Sequence, residues 1–400
     1  MFELVQNNPF LISINIIMLI VMWFTMRPAI LYEDGTVSKG RLNFTLFMWF
    51  AFDLFAFWGS DWFHLYVAYK DIMTGSPIVE DVYTWIAYKL APNNYFLFRI
   101  IVWGTAQLLL WNTFKRLSVS SHLTLALFVS IWMIWFSYGR VSLAMALAFW
   151  GLTIYHKSHK IPLLPKIIGI CAIATSFFFH KSAIFIIIVS LLTILTRKVN
   201  KITFIIFLIA FPFIAYILDD GFIDSILLTM TDQTEDLDNY IVKAQYYMER
   251  DEKSNGIGPL IGLIAEKVPY YLIIILGTAA IYRNNGNTTI LDYEEVADVA
   301  THENNNERVS HVPEDVQMFT RALFFIVLFS SLFLFSNTVN TQVIYDRFIK
   351  FSYIPATIIL TYLLENNKYL RYGWWIYCVA FFGTCYQMIY MLYCSISNSR

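Results

Sequence analysis

The sequence has few charged residues and few cysteines, and each shortage excludes a class of protein. Asp, Glu, Lys and Arg make up 14% of the 400 residues, and 28 basic residues stand against 29 acidic ones for a formal net charge of −1. Binding of nucleic acid through a basic surface needs a surplus of Lys and Arg, so nucleic acid is excluded as a partner. The four cysteines lie in apolar runs without a CxxC pair, which excludes a disulfide scaffold and a cysteine metal site.

Short motifs for phosphate, nucleophile or metal chemistry are also missing from the sequence. It contains no Gly-rich phosphate loop, no GxSxG, no HExxH and no EF-hand pattern. Glu80 and Asp81 are adjacent carboxylates, but neighbouring residues on a helix point about 100 degrees apart, so one metal site would not use both. We therefore expect no metal and no cofactor.

Apolar residues dominate the sequence instead, at 58% of the chain. No soluble core could hide so much apolar surface, and a membrane-spanning helix takes about 20 apolar residues. Because lipid leaves unpaired backbone groups unsatisfied, the spans should be helical. We predict an all-α, polytopic membrane protein with residues 1–400 as a single membrane domain. It should have about twelve transmembrane helices, over 10–26, 43–58, 96–114, 122–138, 141–155, 167–179, 182–196, 202–218, 258–282, 322–336, 348–364 and 373–394.

The distribution of Lys and Arg predicts which side of the membrane each connection faces. Most of the 28 fall in connections that are cytoplasmic if the N-terminus is outside, so both termini should be outside. Three connections are longer than a turn. Residues 59–95 form a first outer loop whose aromatic and charged residues predict amphipathic helices on the membrane surface. Residues 219–257 form a second, acidic outer loop, and 283–317 form an inner polar linker with the composition of a disordered segment.

Ionisable residues collect at the outer ends of different predicted spans and in the first outer loop. Charges near spans are costly in lipid and mark a site, a partner or an anchor. Their concentration on one side is typical of an enzyme cavity that opens at one interface. A transporter would place key polar groups near the midplane, where only Asp53 and Gln107 lie. The outer group consists of Asp61, His64, Glu80, Asp81, Arg99, Arg140, His180, Lys181, Asp346 and Arg347.

Three arginines of this group are candidates for binding an anionic substrate. Arg140 follows Gly139 at the junction of two runs, where glycine lets two helices meet; it either forms a guanidinium fork for a phosphate or diphosphate or anchors in the interface. Arg347 pairs either with Asp346 or with a second phosphate. Arg99 stands at the start of a span, where an interfacial anchor is the competing interpretation.

The remaining candidates are groups for proton transfer and for holding sugars. His180 and Lys181 separate two apolar runs, and His180 is a proton-transfer or phosphate-binding group or else a simple loop histidine. Asp61 follows the second span among aromatic residues and is either a general base or an anchor for a sugar hydroxyl. Glu80 is a second candidate for the base.

Aromatic residues in the first outer loop are the candidates for sugar contacts. Trp62 and Tyr66, with His64 between them, suit stacking against sugar faces. An interfacial aromatic belt produces the same composition in any membrane protein, so both interpretations stay open.

The order of these features resembles the EpsG family of Wzy-type bacterial exopolysaccharide and O-antigen polymerases, over most of residues 40–360. The order supplies most of the specificity, because each motif is weak alone. The matching features are Gly59-Ser60-Asp61 with tyrosines after it, an acidic residue some twenty positions on, Gly139-Arg140 before an Ala-rich span, His180-Lys181-Ser182-Ala183, and Arg347 before Tyr353.

The resemblance implies a GT-C-like, metal-independent glycosyltransferase in the bacterial inner membrane, with its active face in the periplasm. Its substrate would be an oligosaccharide on undecaprenyl diphosphate, and its further partners would be the lipid bilayer and a chain-length regulator. On this interpretation Arg140 and Arg347, helped by Lys181 and His180, bind the diphosphate, and Asp61 is the leading base with Glu80 behind it. The alternatives are a lipid-linked oligosaccharide flippase or other transporter, and an O-antigen ligase.

Overall fold

The computed structural model of the protein describes residues 8–31, 36–57, 66, 69–70, 73–74, 86–137, 139–157, 163–180, 183–196, 312–334, 348–366 and 374–397. Every regular element in these ranges is a helix, and no strand occurs among them, so the all-α prediction is confirmed for this part of the chain. The predicted spans 202–218 and 258–282 and the outer loop 219–257 lie outside the described residues.

The helices are α1 (Pro9–Leu31), α2 (Lys39–Leu54), α3 (Tyr95–Arg116), α4 (Ser121–Ile131), α5 (Met133–Phe136), α6 (Arg140–Lys157), α7 (Leu163–Thr175), α8 (Ala183–Leu195), α9 (Glu314–Leu334), α10 (Tyr353–Asn366) and α11 (Trp374–Ser397). A π-helical turn covers Ile86–Leu90, and 3₁₀ turns cover Ser176–Phe178 and Lys350–Ser352. The chain divides into two compact units. The first is Met1–Ser190 with Thr361–Arg400, and the second is Leu191–Leu360.

Helix α1 has one face that is buried in the protein and an opposite face that is apolar and exposed. Its buried residues recur at spacings of three and four, from Ile12 and Asn15 through Leu19 to Met26. The opposite face carries a stripe of exposed apolar side chains at a spacing of seven, Phe10, Ile17, Phe24 and Leu31. A water-facing surface would be polar at these positions, so the stripe is suited to contact with lipid.

Among the described residues, α1 is the one helix that is long and apolar enough to cross a bilayer by length and composition. Shorter apolar helical stretches cover Ser121–Ile131, Leu163–Phe178, Ala183–Leu195 and, within α11, Ile376–Leu392. The total of about twelve spans, and the GT-C-like arrangement, stay predictions.

In the first unit, α1 packs against α2, α4 and α11, while α3 packs against α2 and α6. Helix α6 also packs along α7 through two glycines, Gly151 and Gly169. This arrangement places the C-terminal end of α2 beside α3, and α3 beside the start of α6, which brings the polar residues of the candidate site together.

In the second unit, α9 begins earlier than the apolar pattern predicts. The predicted span starts at residue 322, but the helix starts at Glu314 and so includes the last residues of the predicted inner linker. Glu314 and Asp315 occupy its first turn, where acidic residues stabilise the positive end of the helix dipole. The side chain of Gln317 donates a 2.8 Å hydrogen bond to the Val312 carbonyl and joins the helix to the residues before it.

Candidate functional site

A buried carboxylate on α2 joins three segments of the first unit. Asp53 is fully buried. One carboxylate oxygen accepts a hydrogen bond from Gln107 Nε2 on α3 at 2.5 Å, and the other accepts one from the Ser137 hydroxyl, between α5 and α6, at 2.6 Å. The two residues singled out near the middle of predicted spans are therefore direct partners. Because both carboxylate oxygens are used, this cluster is satisfied internally.

Arg99 on α3 lies next to this cluster. It is 1% exposed, which rules out an anchor in the lipid headgroups. Its Nη2 donates to the backbone carbonyls of Asp53 and Ala56, the latter at 3.3 Å. These carbonyls lie at the end of α2, where helical partners run out, so Arg99 caps that helix.

The Arg99 guanidinium is enclosed by aromatic rings. Its carbon atom lies 4.8 Å from the ring centre of Phe57, 4.6 Å from that of Trp103 and 5.7 Å from that of Tyr95. Such contacts are favourable for a cation that is shielded from water. Within the described part of the chain, Nε and Nη1 have no hydrogen-bond partner. A role of Arg99 in substrate binding stays a prediction.

Asn15 of α1 provides a second cap on α2. Its Nδ2 donates to the Phe55 carbonyl at 2.8 Å. Side chains from α1 and α3 therefore fix the point from which the chain leaves α2 towards the predicted Asp61 segment.

The junction before α6 is held from several sides. Gly139 has a φ of 55°, a conformation that favours glycine, and the helix starts at the next residue, Arg140. The Ser137 carbonyl accepts a 3.3 Å hydrogen bond from Trp103 Nε1, and the Ser142 hydroxyl donates to the Phe136 carbonyl. Arg140 itself is half-buried. Its position at a glycine junction agrees with the prediction, although no sequence signal identified the contact between Ser137 and Asp53.

The predicted fourth span is broken, and sequence reasoning missed the residue that holds the break. A continuous helix was expected over 122–138, but α4 ends at Ile131 and α5 starts at Met133. Gln387 of α11 fills the gap: its Oε1 accepts from the Ile134 N–H at 3.0 Å, and its Nε2 donates to the Ser130 carbonyl at 2.7 Å. A buried, unpaired backbone group costs about 1–3 kcal/mol, so this amide stabilises the break.

Helices α6 and α7 run antiparallel and bring His180 to the Arg140 end of α6. A Cβ on Gly151 would meet Ile173, whereas a Cβ on Gly169 would meet Tyr155. The later residues of α7 therefore face the earlier residues of α6. His180 follows the 3₁₀ turn after α7, and its N–H donates to the Ser176 carbonyl at 3.4 Å.

The described part of the first outer loop packs against the start of α3. Tyr66 lies edge-on to Tyr95, with ring centres 5.2 Å apart. The Tyr69 hydroxyl accepts a 2.7 Å hydrogen bond from the Asn94 N–H and donates to the Ala91 carbonyl. Burial raises the pKa of the Tyr69 phenol, and the Asn94 N–H opposes that rise. Because Tyr95 also contacts Arg99, the candidates Tyr66 and Arg99 meet around one ring.

Directions of the helices place these groups at one end of the first unit. Helices α3 and α6 are parallel, because Trp103 bonds to Ser137 and, two to three turns further along both, Trp150 Nε1 donates to Asn112 at 2.9 Å. The start of α3, the start of α6 and the end of α2 thus share one end. Six predicted site residues lie outside the described residues, namely Asp61, Trp62, His64, Glu80, Lys181 and Arg347. In the ranges that the structure describes, no three His, Cys, Asp or Glu side chains are grouped to hold a metal ion.

Comparison with known proteins identifies the family. Neither a curated protein nor a solved structure matches the chain. The model of the EpsG family matches residues 41–398. This family is Wzy-type and polymerase-like, which together with the apolar helix α1 indicates a membrane protein of polysaccharide biosynthesis. The resemblance inferred from the order of motifs is confirmed, and the chain belongs to the EpsG family.

Proposed function

We propose that the protein is a membrane glycosyltransferase that polymerises lipid-linked oligosaccharides. It joins repeat units carried on undecaprenyl diphosphate into O-antigen or exopolysaccharide, on the periplasmic face of the bacterial inner membrane. Family membership supports the polymerase class. The observation that carries the proposal is the direction of the helices: Arg99 near the start of α3, Arg140 at the start of α6 and His180 after α7 all belong to the end of the first unit that also holds the end of α2.

The reaction needs a base and a stabilised leaving group. A hydroxyl at the non-reducing end of one lipid-linked unit attacks the anomeric carbon of the growing chain. The bond from that carbon to the diphosphate oxygen breaks, and its electron pair stays on the diphosphate. The proton of the attacking hydroxyl passes to a carboxylate, for which Asp61 is the first candidate and Glu80 the second.

Cationic groups supply the stabilisation of the leaving group in this proposal. Negative charge develops on the diphosphate as the bond breaks, and fixed positive groups stabilise it best where water is excluded. Arg140 offers the paired donors of a guanidinium fork, which match two phosphate oxygens. Arg347, Lys181 and His180 supply further positive charge to the diphosphate. Trp62, His64 and Tyr66 hold the sugars, with Tyr66 supported by its packing on Tyr95.

Substitution of Arg140 by Lys tests the guanidinium fork. A lysine keeps the charge but cannot make the two parallel hydrogen bonds, so Arg140→Lys should be present at the wild-type level and lose long-chain product. Arg116→Lys is a matched control, because Arg116 is exposed at the opposite end of α3 and bonds to Asn112 on the same helix at 2.6 Å. Normal chain-length ladders from Arg140→Lys would contradict the assignment.

Substitution of Asp61 by Asn tests the base in the same assay. The amide cannot accept the proton, so polymerisation should stop while lipid-linked substrate accumulates. Polymer formation at the wild-type rate would remove Asp61 from the mechanism and make Glu80→Gln the next variant to measure.

A flippase or other transporter is the second candidate, and the broken helix α4–α5 is the observation that favours it. Discontinuous helices form the substrate sites of many transporters. In this chain, however, the Ile134 N–H and the Ser130 carbonyl at the break bond to Gln387, and the Ser137 hydroxyl near it bonds to Asp53. These groups are therefore already paired within the protein. Purified protein in vesicles with a lipid-linked repeat unit separates the candidates: a polymerase extends the sugar chain, whereas a flippase moves the lipid without a new glycosidic bond. An O-antigen ligase would transfer the chain only when a lipid acceptor of a different kind is added.

A further inference from the structure

The segment between α4 and α6 is held at both ends by side chains from other helices. At its first end, the Gln387 amide bonds to the backbone of Ile134 and Ser130, and its Nε2 also donates to the Val129 carbonyl at 3.1 Å. Thr384, one turn earlier on α11, donates to the same Ser130 carbonyl at 3.3 Å. All of these groups are buried.

At its second end, the segment is fixed to α2 and α3. The Ser137 hydroxyl donates to Asp53, and Asp53 accepts a second hydrogen bond from Gln107. Trp103 donates to the Ser137 carbonyl. Arg140 follows this fixed point after a short turn through Gly139, so any displacement of Ser137 is passed to the start of α6.

An unbroken helix would need none of these polar side chains. Asp53, Gln107 and Gln387 are buried, and buried polar groups are unfavourable unless they are paired. What they make possible is the break itself and the left-handed turn at Gly139. Both features determine where the first residue of α6 lies.

We propose that Asp53, Gln107 and Gln387 are positioning residues that hold the α4–α6 segment so that the Arg140 guanidinium faces the lipid diphosphate. The identity of that ligand rests on the proposed function, whereas the positioning itself rests on the hydrogen bonds. Misplacement of a binding group by about 1 Å can lower a rate by about 100-fold. Loss of the hydrogen bonds of Gln387, or of those between Asp53, Gln107 and Ser137, should therefore reduce polymerisation strongly. Neither loss removes a group that touches substrate.

An exchange of the carboxylate and the amide between positions 53 and 107 provides the sharpest test. Asp53→Asn removes the carboxylate charge and replaces one acceptor oxygen by an NH2 donor, so either Ser137 must accept instead of donate or Gln107 must turn its amide. In Gln107→Glu, two carboxylates face each other. The double variant Asp53→Asn with Gln107→Glu restores one amide and one carboxylate with the hydrogen bond reversed, and it keeps a negative charge near Arg99. Each single variant should polymerise about 10- to 100-fold more slowly than wild type, and the double variant should recover most of that loss.

Isosteric substitutions of Gln387 test the hydrogen bonds at the first end of the segment. Gln387→Met removes all of the hydrogen bonds that Gln387 makes to the break, and Gln387→Glu keeps only the acceptor for the Ile134 N–H. Both should lose long-chain product. Thr113→Val is the matched control: Thr113 is also fully buried, but among the described residues its hydroxyl bonds only to the Leu109 carbonyl of its own helix, at 2.9 Å. This control should keep the wild-type ladder.

A readout that does not depend on polymerisation separates this proposal from the proposed function. In a background with all four cysteines replaced by Ala, Arg140→Cys is labelled with a membrane-impermeant thiol reagent. The labelling rate should change severalfold when Asp53→Asn is added and return towards its starting value in the exchange variant. If the wild-type protein makes no polymer in this assay but the exchange variant still restores the labelling rate of Arg140→Cys, the positioning role stands and the polymerase function is rejected. The positioning role would be overturned if the exchange variant, at equal thermal stability, recovered neither polymerisation nor the labelling rate beyond the single variants.

Discussion

Helices α6 and α7 approach each other too closely at Gly151 and Gly169 to admit any side chain. A Cβ on Gly151 would lie 2.6 Å from the Gly169 carbonyl oxygen and 3.0 Å from the Cβ of Ala172, whereas ordinary contacts begin at 3.4 Å. The nearest obstacle is backbone, so it cannot rotate away. We predict that Gly151→Ala forces the two helices apart and destabilises the protein.

The size of this effect follows from two opposing contributions. Overpacking of a well-packed interior costs about 1–3 kcal/mol. Replacement of glycine by alanine within a helix gains up to about 1 kcal/mol, which reduces the net loss. Gly40→Ala is the reference without a packing conflict, because Gly40 lies in the first turn of α2 and a Cβ added there would have no neighbouring atom within 4 Å. The difference between the two variants should therefore be about 1–3 kcal/mol.

Thermal unfolding of the purified protein in detergent measures this difference. The Tm of Gly151→Ala should lie several degrees below that of Gly40→Ala. Gly169→Ala should behave like Gly151→Ala, since its Cβ would meet the Gly151 carbonyl at 2.7 Å. Equal Tm values for Gly151→Ala and Gly40→Ala would refute the packing of α6 on α7 described above.

Two further substitutions test other contacts of the first unit. Gly383→Ala would place a Cβ 2.9 Å from the Ser130 carbonyl oxygen and should lower the Tm, because it pushes α11 away from the break; an unchanged Tm would contradict this packing. Tyr69→Phe removes the hydroxyl that bonds to the Asn94 N–H and the Ala91 carbonyl. These two groups also bond to each other at 3.4 Å, so the loss of unfolding free energy should be about 0.5–1.5 kcal/mol; no measurable loss would show that the hydroxyl is dispensable.

The positions of most described helices could be predicted from the sequence because each is a local property. Apolar runs between charged or turn-forming residues gave 96–114 for α3 (Tyr95–Arg116) and 373–394 for α11 (Trp374–Ser397). The start of α9 was missed because the apolar pattern says nothing about the acidic first turn that extends the helix. Helix ends depend on capping groups, which hydropathy does not measure.

The candidate site was predictable only in part. Arg140 stood out because a glycine and a charge together interrupt an apolar pattern. The break after Ile131 carried no comparable signal, since its partner, Gln387, is 253 residues from Ile134 in sequence. A glutamine in the last apolar run was the available clue, and the physical reason to follow it is the cost of an unpaired amide in a span. The aromatic enclosure of Arg99 likewise depends on which helices become neighbours.

The dependence of α4 on α11 has a consequence for biogenesis. The 11 residues of α4 extend about 16 Å, roughly half the thickness of the hydrocarbon layer. The backbone that follows stays incompletely paired until Gln387 emerges from the ribosome. At about 5–20 residues per second, that interval is on the order of half a minute. The α4–α5 region therefore completes its hydrogen bonds only after α11 has been synthesised, and termination of synthesis before α11 would leave the backbone groups of Ser130 and Ile134 without Gln387.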